Sequence, residues 1–463
     1  MIRDRCAVFG TLSPSEDVAR LIFFGLYALQ HRGQESSGIV VSDGEQMKRH
    51  VGAGLVSQVF DEQSVGALKG NTGIGHNRYS TTGSSTLGNA QPMIVTGPAG
   101  TLALAHNGNV INAVELRQEL EERGFDFVTT TDSEVIAKLI VASPGANWVE
   151  RVSSTMRRLI GAYSLTLLTE ESLIAVRDPL GVRPLCIGYV DSNPVVASET
   201  CALDHIGARY DRDVRPGEIV SFSHEGETSK LVFDDAKRAA CVFEYIYLAR
   251  ADSMLDHKLV YEARQRMGVR LWEEYPADAD LVLGVPDSAI PAAIGYAEAS
   301  GIPYSEGLLK NRYVGRTFIS PDQRLRDLGV QLKFNPLKEV IRGQRLVVVD
   351  DSIVRGTTTP HVVELLRHAG AKEVHLRICA PPIKHPCFLG VDMATEWELI
   401  ATGKSVDEIR DYVKADSLGY ISLEGLLWSV GFKQDKLCMA CFSGNYPVPV
   451  QIGLDKFAME TAQ

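Results

Sequence analysis

The chain has 463 residues, 45% of them hydrophobic and 23% charged, and a formal net charge of -11 at pH 7. That length favours two or three domains, and that apolar content is enough to bury their cores, which excludes long disordered stretches. The acid excess excludes a dedicated nucleic-acid binder, and no apolar run reaches the length of a membrane span or a signal-peptide core, so a cytoplasmic protein without nucleic-acid or membrane partners is expected.

Up to about residue 235 the pattern is mixed α and β. Val18, Leu21, Ile22, Leu26 and Leu29 recur at helical spacing within Asp17 to Gln30, and Asp132 to Val141 reads as a second helix behind an Asp cap. Short apolar runs bounded by turn residues, Leu102 to Ala105, Tyr163 to Leu168 and Leu173 to Val176, read as strands. From about residue 240 the rhythm becomes strand, turn, helix, strand. Leu281 to Val285 is a strand, Ala289 to Ser300 a helix stopped by Gly301, and Ile302 to Tyr304 a further strand. Leu346 to Val349, Pro360 to Ala369 before Gly370, and Val374 to Cys379 repeat the unit. Such alternation predicts a parallel sheet covered by helices, with ligands at the carboxyl ends of its strands. The boundary between the halves falls near Ser229 to Ala240, and no internal repeat or low-complexity segment interrupts either half.

The stretch from Leu346 to Thr358 runs a buried strand into Asp350 and Asp351, then a turn, then a helix. Two adjacent carboxylates can hold a sugar diol and a hard Mg²⁺, while Gly356 and the hydroxyls of Thr357 and Thr358 open the helix start to a phosphate. An isolated Asp-Asp pair could equally be an acidic strand end beside an ordinary helix cap. The full arrangement, with Ser352 and Arg355, resembles the signature loop of the phosphoribosyltransferases and implies binding of phosphoribosyl pyrophosphate. By the same resemblance Gly284 to Ser288 would receive pyrophosphate, with Ser288 on the Mg²⁺ side; taken alone, Pro-Asp-Ser is a plain N-cap. Lys310, Arg312 and Arg316, followed by Arg324, Arg326 and Lys333, gather basic residues around Gly315, which suits a lid over pyrophosphate or simply a solvated loop.

Cys6 precedes Ala7-Val-Phe-Gly10. A terminal α-amine titrates near about 8 and a thiol near about 8.5, so one N-terminal cysteine can supply both base and nucleophile near neutral pH. A lone cysteine in a strand is more often buried and inert. Four further segments change its meaning: Leu29 to Gly38, Gly75 to Thr81, His106-Asn107-Gly108, and Thr131 to Glu134. Together they resemble the N-terminal-nucleophile glutamine amidotransferases. The resemblance implies that Arg78 grips the α-carboxylate of glutamine and Asp132 its ammonium, and that the Asn107 amide and Gly108 N–H form the oxyanion hole. This chain departs from the family in reading Arg5-Cys6-Ala7 where Glu-Cys-Gly or Met-Cys-Gly is common. Loss of residues 1–5 is expected in the active form, because only that frees the Cys6 amine.

Eight cysteines in a reducing compartment are thiols, ligands or nucleophiles rather than disulfides. Cys438-Met-Ala-Cys441 with Cys241 and Cys387 could close a four-thiolate site, and the chemistry alone allows zinc or iron–sulfur. The runs around these four resemble the 4Fe-4S branch of the amidophosphoribosyltransferase family, where the cluster is structural; Cys186, Cys201 and Cys379 are then core residues. That likeness extends over nearly the whole chain, including Arg177 to Leu185 and Tyr261 to Gly268. It implies an α+β, αββα glutaminase over 6–235 and a type I α/β phosphoribosyltransferase with a mainly parallel sheet over 236–463, the latter ending in a helical cluster-binding segment. The implied activity is glutamine hydrolysis through a Cys6 thioester, ammonia transfer and displacement of pyrophosphate, giving phosphoribosylamine for purine synthesis. A homodimer or homotetramer inhibited by purine nucleotides is expected as well. The rivals are a non-catalytic phosphoribosyl-pyrophosphate sensor, which has no use for an oxyanion hole, and an ammonia-only enzyme with a failed glutaminase.

Overall fold

The computed structural model describes residues 6–14, 17–79, 86–235, 237–311, 334–391, 393 and 395–450. The expected leader, Ser80 and Thr81 of the second glutaminase segment, and the basic stretch 312–333 with Arg316 lie outside the described residues.

Two antiparallel sheets make up the first half. In the seven-stranded sheet Ala7–Leu12 lies between Asn193–Ala197 and Thr72–Arg78; in the six-stranded sheet Gly100–Val110 lies between Met93–Gly97 and Gly161–Leu168. Successive side chains on a strand point to opposite faces, and the core follows that alternation. Val8, Val40 and Ile74 of one sheet meet Ala103, Ala105 and Ala175 of the other. Their neighbours Ala7, Phe9, Ile39 and Val41 turn outward under the helix Val18–Ala28, while Leu104, Leu165, Ile174 and Val176 turn outward under the helix Asp132–Ala142. The layers are therefore α, β, β, α, as the resemblance implied. The first helix is capped by Asp17, which accepts from Arg20 N at 3.2 Å. The second is capped by Thr131, accepting from Glu134 N at 3.4 Å, rather than by Asp132. Asp132 sits in the first turn, where its carboxylate is released from capping and accepts instead from Val110 N at 3.0 Å.

The second half is built on four parallel strands in the order Leu281–Gly284, Arg345–Asp350, Glu373–Ile378 and Ser417–Tyr420. Parallel strands buried on both faces need continuous apolar runs, and Leu346 to Val349 is one. Val347 and Val349 point to the face carrying the helices Val260–Glu274 and Ile290–Ser300; Leu346 and Val348 point to the face carrying Thr359–His368 and Val406–Val413. The strand expected at Ile302 to Tyr304 is reduced to a single parallel bridge between Tyr304 and Val282. That bridge lies on the side of Leu281–Gly284 away from Arg345–Asp350, so chain direction across the sheet reverses between these two strands. A crevice at their carboxyl ends follows from that reversal.

Between the halves, Ile111, Ala162 and Val182 join the same core as Val242, Phe243 and Leu389. A buried ion network crosses the junction too: Arg32 donates through Nε to Glu199 and through Nη2 to Glu244 Oε2 at 2.6 Å. Burial opposes the charge of both Arg32 and Glu199. The mutual attraction wins: Glu199 is held far below the usual carboxylate range by Arg32 and His31, and Arg32 is raised by Glu199 and Glu244. Across the described residues no helix is long and apolar enough to cross a membrane.

Candidate functional site

The strand Ala7–Leu12 delivers Cys6 to the end of the sandwich, beside Tyr79. Cys6 Sγ donates to Tyr79 O at 3.2 Å and receives Tyr79 N at 3.4 Å. Burial pushes the thiol up to about 11, although the Tyr79 backbone and the Arg78 charge pull it down. At neutral pH such a thiol is almost wholly protonated, so attack requires a base beside it.

A cavity opens over Cys6, lined among others by Arg78, His106, Gly108, Asp132 and Ser133. It presents a cation, Arg78, and an anion, Asp132, both buried. Arg78 Nη1 lies 3.7 Å from Glu35 Oε2, and Asp132 Oδ2 lies 3.7 Å from His106 Nδ1. Burial drives the His106 imidazole down despite the upward pull of Asp132, so the ring is neutral in the physiological range. A side-chain circuit holds it in place: Gln91 Oε1 accepts from His106 N at 2.8 Å, Gln91 Nε2 donates to Ser133 Oγ at 2.9 Å, and Ser133 Oγ lies 3.2 Å from His106 Nδ1.

Asn107 and Gly108 stand on the strand Gly100–Val110. Among the described residues the buried Asn107 Nδ2 has no hydrogen-bond partner, a state that costs about 1–3 kcal/mol and calls for a function. A donor of this kind, already desolvated, suits a charge that exists only during reaction. Gly108 is required by close approach, since a Cβ there would stand 1.9 Å from Ala162 O. Cys6, Arg78, Gly108 and Asp132 thus meet in one cavity, with Asn107 next along the strand. The supporting roles of Glu35, Gln91, His106 and Ser133 were not legible in the sequence. Gln91 lies in no motif, and nothing local marks it as the partner of a residue 42 positions away.

In the second half the acids stand at the crevice of the parallel sheet. Asp351 Oδ2 accepts from Ser288 Oγ at 2.6 Å, Asp351 Oδ1 from Ser352 Oγ at 2.6 Å, and Asp350 Oδ1 from Asp351 N at 2.9 Å. Gly356 turns the chain with φ of 68°, and the helix Thr359–His368 begins behind Thr357 and Thr358 with no side-chain cap on its first N–H groups. Lys310 Nζ donates to Asp287 Oδ2 at 2.6 Å, and Arg355 Nη2 to Glu398 Oε2 at 3.0 Å. Ser288, Asp350, Asp351, Ser352 and the loop to Thr358 are therefore gathered at one strand edge, with Lys310 on the neighbouring Asp287. A Mg²⁺ ion would find hard oxygen donors in Ser288, Asp350 and Asp351. Tyr247, partly buried nearby, has its phenol driven up by desolvation and by Asp351 and Asp350.

The four cysteines are drawn together by a short parallel pairing that sets Cys241 opposite Cys438. Burial pushes the Cys441 thiol well up, and Cys438, Cys241 and Cys387 push it further, which places all four in one neighbourhood. Among the described residues no three His, Cys, Asp or Glu side chains are arranged in metal-ligating geometry. Four thiol sulfurs are nevertheless a soft donor set, a fit for an iron–sulfur cluster or zinc rather than a hard ion. Cys186, Cys201 and Cys379 are 2%, 1% and 2% exposed, core residues as expected.

Residues 76–205 match the glutamine amidotransferase domain family and residues 250–395 the phosphoribosyl transferase domain family, which sets the class: a glutamine amidotransferase domain followed by a phosphoribosyltransferase domain. The amidophosphoribosyltransferase of Synechococcus elongatus is 51% identical over 99% of this chain and 94% of its own length, and that of Bacillus subtilis 47% identical over 97% and 95%. A solved glutamine phosphoribosylpyrophosphate amidotransferase from B. subtilis, complexed with ADP and GMP, superposes with a TM-score of 0.91 at 46% identity, covering 97% of this chain and 99% of that one. The chain belongs to the amidophosphoribosyltransferase family.

Proposed function

We propose that the two sites act in series to make phosphoribosylamine from glutamine and phosphoribosyl pyrophosphate, the first step of purine synthesis. The observation that carries this is the presence on one chain of the Cys6 cavity, with its buried Arg78, Asp132 and unpartnered Asn107 donor, and of the Ser288–Asp351 crevice. In this reading residues 6–235 are the glutaminase, residues 236–463 the phosphoribosyltransferase, and residues 1–5 a leader whose removal frees the Cys6 amine.

Glutamine binds with its carboxylate on Arg78 and its ammonium on Asp132, a pair of opposite charges that selects the free amino acid. The Cys6 amine takes the Sγ proton, and the thiolate adds to the amide carbon. Asn107 Nδ2 and Gly108 N–H hold the oxyanion; collapse expels ammonia, which leaves with the proton from the amine, and water then hydrolyses the thioester to glutamate. Because burial pushes the Cys6 thiol up, a base beside it such as the freed amine assists attack near neutral pH.

In the second half Asp350 and Asp351 orient the ribose diol, and the loop Ser352 to Thr358, with Arg355, Gly356 and Thr357, cradles the 5-phosphate. Lys310 and Arg316 pair with pyrophosphate as ammonia displaces it from the anomeric carbon. Bound Mg²⁺ at Ser288, Asp350 and Asp351 would neutralise pyrophosphate charge. The thiols of Cys241, Cys387, Cys438 and Cys441 would hold one 4Fe-4S cluster, tying the C-terminal segment to the domain body. Purine nucleotides as inhibitors find support in the ADP and GMP bound to the B. subtilis relative; a homodimer or homotetramer working in the cytoplasm completes the proposal.

The test measures pyrophosphate and glutamate together with Mg²⁺, phosphoribosyl pyrophosphate and glutamine, beside Cys6→Ala supplied with ammonium. Equal release of both products, with the variant inactive on glutamine and active on ammonium, is expected. Neither product from processed, iron-loaded protein would favour the sensor.

A further inference from the structure

The strand that carries the oxyanion donors is supported unequally. On one side Gly161–Leu168 pairs with it from Ala103 to Val110, but on the other Met93–Gly97 pairs only as far as Leu104. Along that open flank at Asn107 to Asn109 lies a turn of the second half. Asn109 Nδ2 donates to Phe388 O at 2.9 Å, and Arg183 Nη2 donates to Leu389 O. Gly390 follows with φ of 94°, and a Cβ on it would stand 2.8 Å from Arg183 Nη2, 3.0 Å from Gly108 C and 3.1 Å from Gly108 O. The turn is itself anchored: Cys387 N donates to Met393 O at 2.9 Å, and Tyr446 Oη to Pro386 O at 2.7 Å.

We infer that the turn Cys387 to Gly390 is a clamp which positions the glutaminase oxyanion hole from the phosphoribosyltransferase half, with Asn109 as the positioning residue that holds it. This rests on the assignment of Asn107 and Gly108 to the oxyanion hole. An oxyanion donor is useful only within a few tenths of an ångström of the reacting oxygen, and beyond Leu104 this flank of the strand is held by single side chains, Gln91 Oε1 on His106 N and Asp132 Oδ2 on Val110 N, with the turn packed between them. The clamp adds to those side-chain supports a contact from the half that consumes the ammonia. Asn109 touches no substrate in this scheme; it acts through Gly108 and Asn107.

The experiment compares Asn109→Asp, Asn109→Ala, Gly390→Ala and Asn107→Ala in the full-length, cluster-loaded protein, reading kcat and KM for glutamine and, separately, turnover with ammonium. Asn109→Asp keeps the volume and turns the donor into an acceptor, and Asn109→Ala removes the donor without adding charge, so a loss shared by both reports the lost hydrogen bond to Phe388 O rather than volume or charge alone. The clamp predicts that both Asn109 variants and Gly390→Ala lose about ten-fold or more in kcat for glutamine, with KM for glutamine and ammonium turnover within about two-fold of the parent. A rise in KM at unchanged kcat, equal losses with both nitrogen donors, or an unaffected Asn109→Asp would overturn it. Asn107→Ala separates the two ideas. If it keeps full glutamine turnover the oxyanion assignment itself is wrong; if it loses turnover while the Asn109 and Gly390 variants do not, only the clamp falls.

Discussion

The two halves solve opposite problems of access. In the glutaminase half most polar groups of the site are buried inside an antiparallel sandwich and tied to one another, Gln91 to His106 and Ser133, Val110 to Asp132, Tyr79 to Cys6, with the Asn107 amide donor as the exception. In the phosphoribosyltransferase half the acids stand at the open ends of parallel strands and are steadied mainly by neighbouring hydroxyls, Ser288 and Ser352. The contrast suits the substrates. A small amide attacked by a desolvated thiol gains from preorganised donors, whereas a large, highly charged diphosphate must enter from water with its counter-ions. The preformed site therefore depends on several partners far apart in sequence, and the open one on a single loop joined by Ser288 from 63 residues away.

The sharpest way to break this comparison is Cys6→Ala. Glutamine-driven turnover should fall on the order of 10⁴-fold while ammonium-driven turnover survives, as read by coupled product release. Next in size is Arg32→Ala, which attacks what joins the halves. It removes the cation shared by the buried Glu199 and Glu244, leaving His31 and Arg183 as their basic neighbours, and should cost about 3–5 kcal/mol in denaturant unfolding. Asp351→Asn addresses the open site alone. It should lower phosphoribosylamine formation from either nitrogen donor by about a hundred-fold and leave the basal glutaminase cavity intact, which a thiol-labelling rate at Cys6 would check.

The smallest effect concerns pH. Burial pushes the His76 imidazole down to about 3, outweighing its hydrogen bond to His106 O. Its ordinary value, near about 6.5, is regained on unfolding, so below that pH the unfolded chain binds a proton that the folded chain refuses. Stability from this group is full above about 6.5 and declines by about 1.4 kcal/mol per unit as pH falls toward its folded value. His76→Gln should flatten the acid limb of the stability curve by about one proton; an unchanged slope from pH 6 to 4 would show that His76 is already charged in the fold.

Much of this could be read before the fold was known, and the parts that could not share a cause. The strand Arg345–Asp350, its acids and the following helix lie within one continuous stretch, so pattern and motif located them together. The helix over Asp132–Ala142 was expected in nearly the right place, but its cap is Thr131, because Asp132 is needed by Val110 across the fold. The strand expected at Ile302 to Tyr304 shrank to one bridge between Tyr304 and Val282.

What the amino-acid sequence determined by itself was what depends on near neighbours: a mixed α and β half and a parallel-sheet half from periodicity, with the αββα layering coming from resemblance alone, and the acid-pair loop between strand and helix. What only the tertiary structure decided was which distant groups meet: Gln91 with Ser133, Arg32 with Glu199 and Glu244, Cys241 opposite Cys438, and Asn109 against Phe388. The physical reason is that periodicity records which face of an element is buried, whereas a buried donor takes its partner from whichever segment the packing of whole layers brings within about 3 Å.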